Sequence, residues 1–173
     1  MNRKYEFLYR VAKMKSGVVN ISYVASRAKM LAKFVAQQLS GPDPVIRCMD
    51  HQLEIHLREI KDTIETSVIP LGLLRVGSYF ERALLFKVIA DRICLPAALV
   101  RGQYGKAWIE IPEGEGEAAV PVDRRQKVFP TKLMKPNFIV DLMDMPGDLI
   151  PIDSRRAQLY REKQLACETM CYN

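Results

Sequence analysis

The sequence predicts an α+β domain in which a central buried helix packs on an antiparallel sheet of at least three strands, with further helices flanking it. Three observations carry this expectation. Residues 79–93 hold a helical pattern with little polar circumference, AALVRG and GKAWIEI follow it at strand length around a turn, and amphipathic helical patterns precede it. A length of 173 residues with 49% hydrophobic and 27% charged residues is ordinary for one globular domain with a real core.

The central helix has a legible start. Gly77 supplies a turn, and Ser78 and Glu81 stand three apart, the spacing at which a capping serine and a reciprocal glutamate satisfy unpaired N–H groups, so the helix begins at Tyr79. Tyr79, Ala83, Phe86, Ala90 and Ile93 recur at steps of four and three, while Phe80, Leu84, Leu85, Val88 and Ile89 widen the apolar surface beyond one face. Cys94-Leu95-Pro96 ends the helix, because proline disfavours helical backbone in the residue before it. Gly102-Gln103-Tyr104-Gly105 then reads as the turn between two strands.

A third strand is expected at Phe138–Met143. Asp141 lies inside it, and a carboxylate there is costly unless it is paired, hydrogen-bonded or at the rim. In Met145-Pro146-Gly147-Asp148 the glycine can take the positive φ of a turn, after which Leu149-Ile150-Pro151 leads away. Arg155–Cys171 has the pattern of a terminal helix. Residues 112–137, first acidic and then basic, with proline and glycine punctuation, read as a mobile loop between strands. Its Gly114 and Gly116 lack the context of a phosphate-binding loop.

The N-terminal forty residues carry the charge imbalance. Arg3, Lys4, Arg10, Lys13, Lys15, Arg27, Lys29 and Lys33 face Glu6 alone, which exceeds the net surplus of +6. Within this region ISYVASRAKMLAKFVAQQL is an amphipathic helix with Val24, Ala28, Leu31 and Val35 on one stripe, expected to dock on its own domain. Gly41-Pro42-Asp43-Pro44 ends it. The organisation is thus a basic helical segment and linker over 1–44, then the main domain over 45–173. A helix from about Asp50 opens that domain, with Leu53, Leu57, Ile60 and Ile64 on one side and a Glu54–Arg58 ion pair on its surface.

No apolar run approaches 18 residues and no secretory leader is visible, so neither a membrane span nor secretion is expected and the chain is placed in the cytoplasm, with the nucleus also open to it. Cys48, Cys94, Cys167 and Cys171, with only His51 and His56 to complement them, make no zinc pattern and read as free thiols. The two histidines lie five apart, on different faces of their helix. No metal or cofactor is expected.

The order Gly-Ser-Tyr-x-x-Arg-Ala-x-x-Phe-Lys, Leu-Pro, Leu-Val-Arg-Gly, Ala-Trp-x-Glu, Val140-Asp141-Leu142-Met143 and Pro146-Gly147 resembles a peptidase-like domain of the transglutaminase and papain-like group. It is similar to the version at the C-terminus of armadillo repeat-containing protein 3 and ahead of the plant enhanced-disease-resistance and constitutive-triple-response kinases. The resemblance covers roughly Leu53 to Asp153 and implies a transglutaminase/papain-like fold. No repeat of about 40 residues accompanies it, so the armadillo portion is not in this sequence.

Catalytic members of the group open the helix with a cysteine, place a histidine two residues before the tryptophan of the next strand, and supply an aspartate from a later strand. A thiolate is favoured at a helix N-terminus, and a histidine oriented by a carboxylate takes its proton. By motif those places hold Tyr79, Lys106 and Asp141 here, with Ser78, Trp108 and Glu110 as cleft neighbours. A neutral tyrosine is a poor acyl nucleophile and an ammonium accepts no proton. The resemblance therefore implies a pseudoenzyme, with no catalytic residue, that binds protein, and with a Lys106–Asp141 ion pair replacing the histidine and aspartate. Two other readings remain open at this point. One is a cysteine hydrolase or acyltransferase; the other is an adaptor holding RNA or an anionic membrane through the basic N-terminal segment.

Overall fold

The computed structural model describes residues 22–41, 49–102, 106–112 and 136–170, the side chains of residues 22 and 163–170 excepted. Its elements run α1 (Ser22–Gln38), α2 (Met49–Ile64), a 3-10 turn (Leu71–Leu73), α3 (Tyr79–Arg92), β1 (Ala98–Arg101), β2 (Ala107–Ile111), β3 (Phe138–Val140), β4 (Leu149–Pro151) and α4 (Arg155–Met170). The strands form one antiparallel sheet in the order β1-β2-β3-β4. This is the α+β arrangement that the pattern predicts.

Alternation along β2 places the layers. Ala107, Ile109 and Ile111 are buried in one cluster with Ala83, Phe86 and Ala90 of α3 and with Val24, Ala28, Leu31 and Val35 of α1. Trp108 points to the other face, where Ile139 and Ile150 meet Ala157 and Tyr160 of α4. The sheet is therefore covered by α1 and α3 on one side and α4 on the other, as the period of two in a strand requires.

The docking stripe of α1 is as read from the sequence, but this helix shares one core with α3 and the sheet, so no boundary in the core falls at residue 44. Arg27 of α1 hydrogen-bonds the carbonyl of Ile93, the C-cap of α3, placing a cation against unpaired carbonyls at the negative end of that helix. On α2, Leu53 and Ile60 are buried, and Glu54 and Arg58 pair at 3.2 Å. His56 Nε2 accepts the backbone N–H of Arg75 at 3.1 Å, a structural use for one of the two histidines.

Two corrections concern the last strands. The strand expected through Met143 stops at Val140, and Asp141 begins a turn. Leu149–Pro151, expected to lead away, is instead β4, pairing Ile139 with Ile150 and Val140 with Leu149. A proline is tolerated there because β4 is an edge strand. The expected loop over 112–137 falls almost wholly outside the described residues, as do the basic residues before Ser22, the Pro42–Pro44 linker, Cys48 and the side chains of Cys167 and Cys171.

Helix α3 ends by backbone geometry as well as by proline. The N–H of Leu95 bonds the carbonyl of Ala90 at 2.9 Å and that of Cys94 bonds Asp91 at 3.3 Å, the pair of bonds that closes a helix through a left-handed residue. That residue is Cys94, exposed, at φ +53°. A side chain in this region is strained, so Cys94→Gly is expected to raise stability by about 0.5–1 kcal/mol after the extra freedom of glycine in the unfolded chain is counted. A thermal unfolding midpoint at or below that of the parent sinks this expectation.

Candidate functional site

The start of α3 is where the sequence places the site. Ser78 is the N-cap, extended at φ −86°, and its backbone N–H donates to Glu81 Oε2 at 3.0 Å, the reciprocal half of a capping box. Burial pushes the Glu81 carboxyl above its ordinary 4.5, and Asp50 adds to the rise, against hydrogen bonds from the backbone of Glu81 and Ser78. The folded chain thus holds this proton more tightly than the unfolded chain does. Glu81 then favours folding at low pH, and its contribution is lost as pH rises from 4.5 through the raised folded value. Glu81→Gln, which keeps the capping geometry, is expected to flatten stability over the interval just above pH 4.5. Urea unfolding of both proteins across that interval checks it, and equal slopes refute it.

Tyr79 turns toward the α4 side. Its half-buried ring meets Tyr160 edge-on, with centroids 5.6 Å apart and planes at 74°, and it packs on the cluster of Ile139, Ile150 and Ala157. Tyr160 is buried and its hydroxyl accepts the N–H of Leu142 at 3.2 Å. Loss of solvation drives its pKa far upward, so the phenol stays neutral.

Asp141 is 1% exposed, and the residues around it resolve the cost of burying it. Its Oδ1 accepts the N–H groups of Met143 and Asp144 at 2.8 and 3.1 Å, and its Oδ2 accepts that of Met145 at 3.1 Å. The turn wraps the carboxylate in its own backbone, an arrangement open to aspartate because its side chain is short.

The expected Lys106–Asp141 ion pair is not formed: among the described residues Lys106 has no carboxylate within ion-pair reach, and the Asp141 oxygens serve the turn. Lys106 lies at the end of the β1–β2 hairpin, lining an open cleft with Phe80, Glu81, Arg101 and Gly102. Trp108 and Glu110 lie on the opposite sheet face from Ile109. There the indole N–H donates to Glu110 Oε1 at 2.8 Å, and the Arg161 guanidinium of α4 lies 5.6 Å from the centre of the indole ring.

Sequence reasoning missed Arg82. It is 5% exposed, and its guanidinium donates to three carbonyls: Nε to Gly77 at 2.8 Å, one terminal nitrogen to Leu142 at 2.7 Å, the other to Leu39 at 3.1 Å. It joins the end of α1, the approach to α3 and the turn after β3. Burial lowers its pKa, while Tyr160, Tyr79 and Asp141 act in the opposite direction. The signal was in the sequence, as an arginine one residue after the capping glutamate and beside Ala83 of the apolar stripe, in the half of the helix that carries no other cation.

A family model described as EDR1/CTR1/ARMC3, peptidase-like, matches residues 6–150. The chain belongs to that family. The match includes α1 and so begins well ahead of Leu53, where the motif resemblance starts. Over 155 residues, 90% of this chain and 17% of the relative, it is 36% identical to human armadillo repeat-containing protein 3. Over 144 residues, 83% of this chain and 12% of the relative, it is 31% identical to the probable serine/threonine-protein kinase SIS8 of Arabidopsis thaliana. The chain thus spans less than a fifth of either relative. No solved structure matches it. Among the described residues, no helix is long and apolar enough to cross a membrane.

Proposed function

We propose that this peptidase-like chain is a non-catalytic module that works by binding protein, in the cytoplasm. The observation that carries the reading is that the three mapped positions, Tyr79, Lys106 and Asp141, hold neither thiol nor imidazole and that, among the described residues, Lys106 and Asp141 do not pair. Tyr79 packs against Tyr160, Lys106 faces the hairpin cleft, and Asp141 holds its own turn. Acyl transfer through a thiol needs a nucleophile and a base within hydrogen-bond reach, both near a place where an oxyanion is stabilised. Cys94 lies just beyond the far end of the 14-residue helix from Tyr79, about 20 Å away at 1.5 Å per residue.

The fold of a peptidase-like domain then serves as a scaffold, its former chemistry replaced by packing. The test is a direct assay of amide and ester hydrolysis by the purified chain, before and after alkylation with iodoacetamide. Rates at the buffer background in both samples are expected. A turnover that alkylation abolishes stoichiometrically would make the chain a cysteine hydrolase and end this reading.

A further inference from the structure

Where the β1–β2 hairpin approaches the start of α3, Phe80, Glu81, Arg101, Gly102 and Lys106 line an open cleft of about 400 Å³. Its charges are unbalanced. The Arg101 guanidinium lies over the Phe80 ring, 5.0 Å from the centroid, so the cation is held on an aromatic face while its N–H edge stays available. Lys106 is half-buried beside it. Among the described residues neither cation has an ion pair. The one carboxylate in the lining, Glu81, is engaged by the N–H of Ser78.

The strand that carries Arg101 is the outermost of the sheet. Strand β1 pairs with β2 on one side and, among the described residues, with no strand on the other. A free edge offers backbone donors and acceptors to an extended chain. We infer that this cleft receives the carboxylate side chain of an extended acidic peptide laid along β1 as an additional strand, with Arg101 and Lys106 holding the carboxylate. The inference rests on the protein-binding reading above and narrows its partner.

A peptide fits this place better than other anions. The edge supplies sequence-independent hydrogen bonds and the cation pair selects the side chain, the two elements that strand addition needs. Arginine takes a carboxylate through two parallel N–H bonds, while lysine adds a point charge. Glu81 in the lining opposes a doubly charged phosphate more than a singly charged carboxylate. Nucleic acid is tracked by longer basic grooves with stacking aromatics, whereas here Phe80 is already covered by Arg101.

The experiment uses fluorescence anisotropy of the full 173-residue chain with a labelled ten-residue probe alternating valine and glutamate, beside the same probe with glutamine for glutamate. Saturable binding of the glutamate probe is expected, weakened about tenfold or more by the glutamine change and by Arg101→Glu with Lys106→Glu. Arg101→Gln with Lys106→Gln gives the same loss should the reversal fail to fold, and the unfolding midpoint of each variant is measured alongside. Lys29→Glu with Lys33→Glu on the exposed side of α1 makes the same charge change elsewhere and is expected to leave binding within about twofold.

Equal affinity for the two probes, an equal loss in the α1 control, or no saturable binding overturns the inference. So does displacement of the probe by phosphatidylserine vesicles or polyuridine where the unlabelled acidic peptide fails to displace it. Mass spectrometry of the recovered probe separates this result from the broader reading: a cleaved peptide refutes the non-catalytic module, and an intact, unbound one refutes the cleft alone.

Discussion

Arg82→Met is expected to destabilise the fold by about 3–5 kcal/mol, the cost of leaving three buried carbonyl acceptors without their donor. Methionine fills much of the volume, so the loss isolates the polar role. Three carbonyls, on Leu39, Gly77 and Leu142, lose their donor in one step. Each buried acceptor left unpaired costs about 1–3 kcal/mol, with partial relief where water can enter. Asp141 also loses the neighbouring cation and keeps only its backbone bonds. For a chain of this size each kcal/mol moves the midpoint by about 2–4 °C, so a fall of about 10 °C is expected.

Arg82→Lys separates charge from geometry. The ammonium keeps the positive charge but lacks the planar fork whose three nitrogens reach carbonyls on three segments. Roughly half the Met loss is expected for lysine. Urea unfolding of both variants checks the pair of values, and a Met variant within about 1 kcal/mol of the parent would show that the three carbonyls find other donors.

Arg82 also marks the limit of what the sequence disclosed. The stripe of α1, the capping box at Ser78, the three strands nearest α3 and the turn at Gly147 were legible because each is specified by a local period or by a residue with special backbone freedom. Strand β4 was not, since three residues ending in proline carry no period and Ile150 becomes strand only by pairing with Ile139. Of the candidate site less was legible. Motif order assigned the mapped positions to Tyr79, Lys106 and Asp141, but which way a side chain turns at a helix start or strand end depends on neighbours distant in the chain. Tyr160 lies 81 positions beyond Tyr79 and claims its ring. Asp141 was rightly read as too costly to leave unpaired, and the partner was misjudged because three N–H groups of its own turn are closer than any lysine among the described residues.

Gly147 joins that turn to the helical layer, and Gly147→Ala is the second large expected effect. The residue sits at φ +95°, where an L side chain costs about 1–2 kcal/mol. A Cβ built there lies 2.8 Å from the carbonyl oxygen of Lys29 and 3.2 Å from its Cα. Both are backbone atoms of α1, which no side-chain rotation can clear. Either α1 shifts outward, loosening Val24, Ala28 and Leu31, or the turn moves and disturbs the bond from the Gly147 N–H to the Asp141 carbonyl. Strain and displaced packing together predict a loss of about 3 kcal/mol, of which glycine's greater freedom in the unfolded parent offsets only a few tenths. Gly72→Ala is the matched control: its Cβ would meet nothing within 4 Å and its φ is not in the left-handed region, so it should be near neutral. Hydrogen exchange should separate the two further, with the amides of Met143 and Met145, which Asp141 holds, losing protection in the Gly147 variant beyond what the fall in global stability accounts for. A Gly147 variant as stable as the Gly72 control would mean that α1 and the turn part without cost.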